Sequence, residues 1–406
     1  MTDQTVVIVG AGLAGLRVAE GVRGAGFGGR VILVGEEAHA PYDRPPLSKA
    51  VLETEGHEDK IALSPAEALE ELHVELRLGQ RVEAIDRAAR KVVFAGGERL
   101  AYDQLVLATG SRVRPLDMLP PGAPGVHYLR GLDDALALRS ALTPGARVAI
   151  IGGGVIGMEV AASARQRGCE VTVIEAAGRP MARTASPPVS GYFERRHRAE
   201  GVALRLGVTV AAVEGGEGGA MRLRLSTGET VEADLVVVGV GVLPNVELAE
   251  AAGLEVRGGG VVVDAHGATA DPAIFAAGEV ATHFNALHGR HDRQETWNHA
   301  AVHGEHVGRA LVAPGDEYGE AASYWSDQYD INLQIVGDPI GETDVVRGDP
   351  ATGKFLVFHL AGGRVAGVSA INSTRELRTA RKLIGGPQPA DLGALADPTV
   401  ALTALV

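Results

Sequence analysis

Two segments of the chain place glycines at the spacing Gly-x-Gly-x-x-Gly, each between an apolar run and a stretch with helical periodicity. In this arrangement the first glycine permits a sharp turn, the second lets the backbone approach a diphosphate, and the third allows the helix to pack closely on the strand. The amides at the start of the helix then bind the anion. Each segment therefore predicts a dinucleotide site, the first with Gly10, Gly12, Leu13, Ala14 and Gly15, the second with Gly152, Gly154, Val155, Ile156 and Gly157.

A carboxylate follows each glycine segment about twenty residues further on, after a second apolar run. Glu36 and Glu175 are thus placed to accept hydrogen bonds from adenosine ribose hydroxyls. One glycine segment alone is a weak signal, because ordinary strand–turn–helix units also contain it, whereas two copies with the same carboxylate are a strong one. Glu175 would repel a 2′-phosphate, which favours NAD over NADP, but Arg179 and Arg183 are close enough in sequence to keep that choice open.

The elements that must position these residues are those of an α/β protein. Buried parallel strands are predicted on both sides of each glycine segment, and further apolar runs end at Gly110, Gly241 and Gly278, as strands do at a ligand crevice. From about Tyr324 the strand-like runs are separated by Gly and Asp turns. We therefore predict two Rossmann-like domains and a small α+β C-terminal domain with an antiparallel sheet and a late helix near residues 375–384.

The composition excludes several classes of function. The 406 residues include 38 basic and 51 acidic side chains, a net charge of −13, which argues against a nucleic-acid-binding protein. No run of about 20 apolar residues is present, and the N-terminus lacks the pattern of a secretion signal, so we expect no membrane span. The single cysteine, Cys169, cannot form an internal disulfide, which fits the cytoplasm.

The chain has two predicted dinucleotide sites, one at the N-terminus and the second near residue 150. In this arrangement it resembles the FAD-dependent NADH:ferredoxin reductases of bacterial oxygenase systems. The resemblance extends from residue 5 to about residue 385, and its motifs lie at residues 41–49, 107–111, 128–130, 239–245, 295–297 and 324–328. It implies a glutathione-reductase-like fold in which an NAD-binding domain (113–243) is inserted into an FAD-binding domain (1–112 and 244–320). A C-terminal α+β domain (321–406) follows.

The resemblance also implies roles for individual residues. Lys49 would stabilise the negative charge that develops on the reduced flavin, Glu159 would accept a hydrogen bond from the nicotinamide carboxamide, and Trp325 would border the isoalloxazine. The remaining FAD contacts implied are Glu36, Arg44, Val82, Ala108, Thr109, Gly110, Arg130, Gly278, Glu279, Thr296 and Trp297. The remaining NAD contacts implied, besides the glycines and Glu175, are Arg183 and Gly241.

Plainer interpretations of these residues stay open at this point. Lys49 could be a solvated surface lysine, Glu159 a first-turn acid stabilised by the helix dipole, and the two tryptophans ordinary core residues. Arg44 and Arg130 could form ordinary salt bridges. Glu279 departs from the family pattern, which carries Asp after this glycine, and its extra methylene would rearrange the contact with the flavin ribityl chain.

The lack of a second cysteine bears on where the electrons go. Relatives that reduce disulfides need a cysteine pair or a cysteine close to residues 41–49, and neither is present. The acceptor must therefore be external, and a flavin that accepts hydride can release two single electrons to a 2Fe–2S ferredoxin. NADH, FAD and a ferredoxin are thus the predicted cofactors and partner, with no metal in the chain itself and a monomer or weak dimer as the assembly.

An acidic reductase needs a local basic patch to bind an acidic ferredoxin. On a helix at 100° per residue, Arg375, Arg378, Arg381 and Lys382 fall on one face, and Arg290 with Arg293 form a second candidate patch. A solvated helix face is the plainer interpretation of the first. Alternative functions are a rubredoxin reductase or NADH oxidase on the same scaffold, or a redox-gated binding protein similar to apoptosis-inducing factors.

Overall fold

The computed structural model describes residues 4–215, 219–386 and 391–406. The strands of the N-terminal half are β1 (Thr5–Val9), β2 (Arg30–Val34), β3 (Val74–Arg77), β4 (Val82–Asp86), β5 (Lys91–Phe94), β6 (Arg99–Ala101), β7 (Gln104–Leu107), β8 (Ser111–Val113), β9 (Val126–Tyr128), β10 (Arg147–Ile151), β11 (Glu170–Glu175) and β12 (Ala203–Leu206). Those that follow are β13 (Val210–Gly215), β14 (Met221–Leu225), β15 (Thr230–Ala233), β16 (Leu235–Val238), β17 (Val242–Pro244), β18 (Val256–Arg257), β19 (Gly260–Val263), β20 (Ile274–Ala276), β21 (Ala281–Asn285), β22 (Arg290–Asp292), β23 (Ser323–Gln328), β24 (Ile331–Gly337), β25 (Thr343–Asp349), β26 (Lys354–Ala361) and β27 (Arg364–Ile371).

The α-helices of the described residues are shorter in total than the strands. They are α1 (Leu13–Gly24), α2 (Ala50–Glu53), α3 (Ala66–Glu71), α4 (Leu132–Ala141), α5 (Val155–Gln166), α6 (Pro187–Ala199), α7 (Glu247–Ala251), α8 (Trp297–Val312), α9 (Thr374–Ala380) and α10 (Leu392–Ala396). Among the residues described, none of these helices is both long enough and apolar enough to span a bilayer.

The chain divides into two compact units, each made of separate segments. The first comprises the residues up to Asp43, then Asp59–Arg112 and Val242–Ala322. The second comprises Arg44–Glu58, Val113–Gly241 and the residues from Ser323 onward. The three-domain division expected from the sequence stays a prediction, and these units differ from it in grouping Arg44–Glu58 with the second glycine segment.

The first unit is built on a parallel sheet in the order β20-β7-β1-β2-β3. Its strands are short apolar runs with buried side chains on both faces, as expected of a parallel sheet covered on both sides. α1 and α8 pack on one face so closely that a β-carbon on Gly308 would lie 2.2 Å from the carbonyl oxygen of Val18. β4–β6 form a small antiparallel sheet. A further small sheet, which has both parallel and antiparallel pairs, consists of β18, β19, β21 and β22.

The second unit repeats the design and adds an antiparallel sheet. Its parallel sheet has the order β12-β11-β10-β16-β9, with the second glycine segment between β10 and α5. The C-terminal residues form a five-stranded antiparallel sheet, β23-β24-β27-β26-β25, with α9 and α10 packed on its apolar face. The predicted fold class, two Rossmann-like regions and an α+β C-terminal part, is therefore confirmed.

The late helix is shorter than the sequence predicted. α9 ends at Ala380, and Arg381–Leu383 continue as a 3₁₀ turn before Gly385, whose φ of +74° suits glycine. Because a 3₁₀ turn does not advance by 100° per residue, the predicted common face holds for Arg375 and Arg378 but not for Arg381 and Lys382.

Candidate functional site

The first glycine segment forms a tight turn between β1 and α1. Gly10 has a φ of +116°, and a β-carbon there would lie 2.1 Å from the carbonyl oxygen of Ala108. A β-carbon on Gly15 would lie 1.9 Å from the carbonyl oxygen of Gly10. At Gly12, by contrast, nothing lies within 4 Å of that position, and this residue caps α1 without any side-chain hydrogen bond. The turn thus leaves open space beside unpaired helix amides, which fits a diphosphate.

The second glycine segment has the same geometry. Gly152 has a φ of +105°, and its β-carbon would lie 2.3 Å from the carbonyl oxygen of Gly239. The β-carbon of Gly157 would lie 2.0 Å from the carbonyl oxygen of Gly152, whereas Gly154, at the start of α5, has nothing within 4 Å. Ile156, in the first turn of α5, is one of the few large apolar side chains left exposed. This loop therefore fits a second dinucleotide.

The two carboxylates after these loops differ in their partners. Glu36 is exposed and forms an ion pair with Arg81 at 3.3 Å. Glu175 accepts hydrogen bonds from the backbone amides of Gly153 and Ala177, both at 2.6 Å. The second carboxylate is therefore fixed against its own glycine loop, and the first is free to meet a ligand.

The two arginines that left the choice of nucleotide open lie in the segment after Glu175. The guanidinium of Arg179 donates to the carbonyl oxygens of Ala182 and Ala185, which binds it into the segment itself. Arg183 is exposed, and its Nη2 would be 3.8 Å from a β-carbon on Gly241. Only Arg183 therefore faces outward beside the predicted NAD residues, and the carboxylate of Glu175 stays next to the loop.

Other residues predicted to bind FAD in the first unit meet around the first glycine loop. Ala108, Thr109 and Gly110 follow β7, where the Thr109 hydroxyl donates to the carbonyl oxygen of Asn245 at 2.8 Å. A β-carbon on Gly278 would lie 2.6 Å from that of Ala14. These contacts bring the ends of β1, β7 and β20 to one edge of the sheet. Asn245, which the sequence reasoning missed, is one of the residues that hold it.

Thr296, Trp297 and Glu279 lie around the start of α8 and the turn before it. Thr296 caps α8 by accepting from the amide of His299, and the indole of Trp297 donates to Asp43 at 2.6 Å. Glu279 is half-buried in a 3₁₀ turn that directly follows β20. Val82, by contrast, begins β4 and is buried in the apolar core.

A group of buried histidines in the first unit was not foreseen. The ring centroids of His283, His299 and His303 lie 4.6–4.9 Å apart, with the ring of His299 stacked on the other two, and His303 Nδ1 accepts from the amide of Gly278 at 3.1 Å. Burial lowers the pKa of all three, that of His283 to about 4. The spacing of His299 and His303, four residues apart on α8, was the available signal. No set of side chains suited to a metal ion occurs in the described ranges.

A buried ion pair lies in the second unit. Lys49 Nζ is 3.1 Å from Glu159 Oε2, and the Ser48 hydroxyl donates to the same oxygen at 2.5 Å. The Ser326 hydroxyl donates to Glu159 Oε1 at 2.7 Å. Only 4% of the Glu159 side chain and 16% of that of Lys49 are exposed, so neither is a solvated surface charge. Ser326 was missed as a site residue although it lies in a motif that carried the family resemblance.

The remaining predicted residues of the second unit lie on several elements. Arg44 Nη1 donates to the carbonyl oxygen of Arg130 at 2.7 Å, and the amide of Arg130 donates to Asp134 at the start of α4. Trp325 is half-buried on β23, next to Ser326. Arg44 and Arg130 are therefore neighbours, and their contact with FAD stays a prediction.

Cys169 is buried just before β11, and its thiol donates to the carbonyl oxygen of Thr143 at 3.3 Å. Burial raises the pKa of this thiol. A buried, protonated thiol is a poor nucleophile. This cysteine therefore packs as a small apolar residue.

Comparison with known proteins agrees with the two dinucleotide loops described above. Residues 4–304 match the pyridine nucleotide-disulphide oxidoreductase family, and residues 323–406 match the reductase C-terminal family. The chain is 46% identical to the anthranilate 1,2-dioxygenase system ferredoxin–NAD(+) reductase component of Burkholderia cepacia, over 99% of both chains.

Two solved structures superpose over nearly the whole chain. The ferredoxin reductase for the CYP199A2 system of Rhodopseudomonas palustris has a TM-score of 0.94 at 38% identity, over 100% of both chains. The reductase in the covalent putidaredoxin reductase–putidaredoxin complex has a TM-score of 0.93 at 38% identity, over 100% of this chain and 98% of that one. With two nucleotide loops on such a scaffold, the protein is an NADH-dependent, FAD-containing oxidoreductase and belongs to the pyridine nucleotide-disulphide oxidoreductase family.

Proposed function

We propose that this chain takes hydride from NADH onto FAD and passes the electrons singly to a 2Fe–2S ferredoxin that serves an oxygenase of the cytochrome P450 or Rieske type. The observation that carries the proposal is the state of Cys169. It is the only cysteine of the chain, it is buried, and it lies just before β11 in the second unit. A chain without a reactive thiol has no internal disulfide to reduce, so its acceptor is external. The relatives' names, as ferredoxin reductases, support the same acceptor.

The chemistry supplied by bound FAD is the conversion of one hydride into two single-electron transfers. The chain's own groups bind and orient the reactants. We propose that the two glycine loops hold the diphosphates, with FAD at Gly12 and NADH at Gly154. Glu159, ion-paired with Lys49, would accept a hydrogen bond from the nicotinamide carboxamide. A single reduced cysteine also fits the cytoplasm as the place of action.

We propose the basic face of α9 as the ferredoxin-binding surface. Arg375 and Arg378 are exposed there, while Leu377 and Ala380 on the same helix are buried against the C-terminal sheet. Arg381 and Lys382, in the following 3₁₀ turn, are exposed as well. The second candidate patch is less suitable, because Arg293 is half-buried and already paired with Glu295.

The test of electron transfer begins with rapid mixing of the FAD-loaded protein with NADH. The flavin absorbance should bleach within the mixing experiment, and a panel of 2Fe–2S ferredoxins coupled to cytochrome c should then be reduced. Bleaching followed only by oxygen consumption would instead indicate an NADH oxidase, and reduction of rubredoxin alone would indicate a rubredoxin reductase. A flavin that stays oxidised in NADH contradicts the proposal altogether.

The test of the docking surface is charge reversal with a matched control. Arg375→Glu with Arg378→Glu should raise the KM for ferredoxin by about 10-fold at low ionic strength, and less at high salt, because surface charges steer association. Ferricyanide reduction should not change. Arg222→Glu with Arg224→Glu reverses two exposed arginines on β14 and is the control, with the same change of net charge and with ferredoxin kinetics like those of the wild type. An equal effect of both variants would indicate only a dependence on net charge.

A further inference from the structure

A continuous series of hydrogen bonds extends from Glu159 through the second unit. Ser326 donates to Glu159 Oε1 at 2.7 Å, and Gln328 Nε2 donates to Ser326 Oγ at 2.9 Å. His197 Nε2 is 2.7 Å from Gln328 Oε1. The hydroxyl of Tyr329 is 3.4 Å from His197 Nδ1. We call Ser326, Gln328, His197 and Tyr329 the Glu159 relay.

The direction of each hydrogen bond in the Glu159 relay follows from the group at the end of the series, the carboxylate of Glu159. The carboxylate of Glu159, paired with Lys49, can only accept, so the single hydroxyl proton of Ser326 points to it. Ser326 must then accept from the amide nitrogen of Gln328, which leaves the amide oxygen of Gln328 as an acceptor. His197 Nε2 therefore carries a hydrogen, and its Nδ1 is left to accept from Tyr329. Every hydrogen bond in the series is thus donated toward Glu159.

The relay is shielded from water at its centre. Glu159, His197, Ser326 and Gln328 are all buried, on α5, α6 and β23. Burial lowers the pKa of His197 to about 4, so the imidazole is neutral at the pH of the cytoplasm. A buried donor or acceptor that loses its partner is destabilised, because no water replaces the lost hydrogen bond. A change at His197 therefore alters the hydrogen bonds of Gln328 and then those of Ser326. Through Ser326 it alters the orientation of the Glu159 carboxylate.

The relay also determines how many acceptor positions of the Glu159 carboxylate remain for a ligand. A carboxylate offers about four acceptor positions on its two oxygens. Lys49 and Ser48 both approach Oε2, and Ser326 takes one position on Oε1. One position is left, on Oε1, and only a hydrogen-bond donor can use it.

We propose that His197 and Gln328 are positioning residues for nicotinamide recognition, because they orient Ser326 and so present one oxygen of Glu159 to the carboxamide N–H. The proposal rests on the proposed role of Glu159 in binding NADH. It predicts that the site distinguishes a nicotinamide, which has an N–H donor, from an acetylpyridine ring, which has none. It also predicts that this distinction depends on a histidine that does not touch the nucleotide.

The experiment compares NAD with its acetylpyridine analogue. Dissociation constants of the oxidised nucleotides are measured by calorimetric titration, and kcat/KM values are measured with the reduced forms and ferricyanide. In the wild type we expect NAD to bind about 10-fold more tightly than the analogue, as one hydrogen bond to a charged group provides. His197→Phe should weaken NAD by about 5-fold and leave the analogue unchanged. His197→Gln keeps an N–H donor toward Gln328 and should retain most of the preference.

Two further variants keep the proposal open to refutation. Gln328→Met removes the donor to Ser326 itself, with little change of volume. It should weaken NAD and leave the analogue unchanged, and it tests the proposal even if His197→Phe does not fold. His359→Phe removes another buried histidine, bonded to Asp344 and Ser369 in the C-terminal sheet, and should lower stability without changing the preference.

The outcomes separate the two proposals. A wild type that binds both nucleotides equally would remove Glu159 from nicotinamide recognition, and the role of the relay with it. A wild type that prefers NAD, together with relay variants that keep the full preference or weaken both nucleotides equally, would overturn the role of His197 and Gln328 alone.

Discussion

The two glycine loops share their backbone and differ in their carboxylates. Gly10 and Gly152 have similar positive φ angles, and each lies against a carbonyl oxygen of a neighbouring strand end. Glu36 is exposed beside Arg81, whereas Glu175 accepts from the amide of Gly153 in its glycine loop and from that of Ala177 just after it. The same motif thus occurs with an exposed carboxylate, Glu36, and with a carboxylate that is already held by hydrogen bonds, Glu175.

The difference matches the ligands proposed for the two loops. FAD is a resident cofactor and can order Glu36 once, when it binds. NADH must bind and leave in every turnover, and a carboxylate that is already fixed loses less conformational entropy at each binding event. We interpret the bonds of Glu175 as preorganisation for a nucleotide that exchanges.

The largest expected effect comes from the first glycine of each loop. Gly10→Ala and Gly152→Ala should each cost at least about 3 kcal/mol, because the β-carbon meets a carbonyl oxygen and the φ angle is strained. Gly10→Ala protein should purify without flavin. Gly152→Ala protein should keep the flavin absorbance but no longer bleach with NADH.

The matched controls are the second glycines, where a β-carbon meets nothing within 4 Å. Gly12→Ala and Gly154→Ala should fold with wild-type thermal stability and lose only nucleotide affinity, for FAD and NADH respectively. Equal loss of stability in all four variants would contradict the distinction between turn glycines and approach glycines.

The next effect is on stability at low pH. His283, His299 and His303 in the first unit have lowered pKa values, and so do His197 and His359 in the second. An unfolded histidine titrates near pH 6.5, so below that pH the unfolded state binds more protons than the native state. The free energy of unfolding should therefore fall from pH 6.5 toward pH 4, by up to about 1.4 kcal/mol per pH unit for each histidine.

Because three of these histidines belong to the first unit and two to the second, flavin release should occur at a higher pH than the loss of the remaining structure. Flavin fluorescence measures the first and circular dichroism the second, both recorded from pH 7 to 4. His299→Asn should flatten the pH dependence of flavin release. An unchanged slope in that variant would exclude the histidine stack as its cause.

The carboxylates themselves give a smaller and more specific effect. Glu175→Ala should raise the KM for NADH by about 10-fold, since both the predicted ribose contact and the bonds to the amides of Gly153 and Ala177 are lost, and should not change flavin content. Glu36→Ala should weaken FAD retention during dialysis and leave the KM for NADH unchanged. If the two variants behaved alike, the comparison drawn from their partners would fail.

The smallest effect is expected at the exposed ion pair. Arg81→Ala should change the free energy of unfolding by less than about 1 kcal/mol, because an exposed pair is screened and mobile. Chemical denaturation measures this. A larger loss would mean that Glu36 is held in place in the same way as Glu175.

Local patterns made the glycine loops predictable, since turn, helix start and carboxylate all lie within one short segment. The parallel sheets followed from the same segments, because short apolar runs that end in glycine have few other uses. The partners of Glu159 were not predictable in this way. Ser326 lies 167 residues from Glu159, and the bond of His197 to Gln328 spans 131 residues. No periodicity links positions so far apart.

The limit of α9 shows a different difficulty. Its apolar spacing predicted a helix to residue 384, but the last turn tightens before Gly385, whose amide donates to the carbonyl oxygen of Val365. A contact with a neighbouring strand thus decided where the helix ends.

The close packing of α1 against α8 has a consequence for the order of synthesis. Gly21 and Gly308 have carbonyl oxygens of the opposite helix where a β-carbon would be, so the close approach of these helices requires glycine at both positions. One belongs to the first 24 residues, and the other ends at Val312. On the ribosome, the parallel sheet of the second unit is complete once Val238 has emerged. The first unit still lacks β20 and α8 at that moment, so we expect the repeat that begins the chain to be the later of the two to fold.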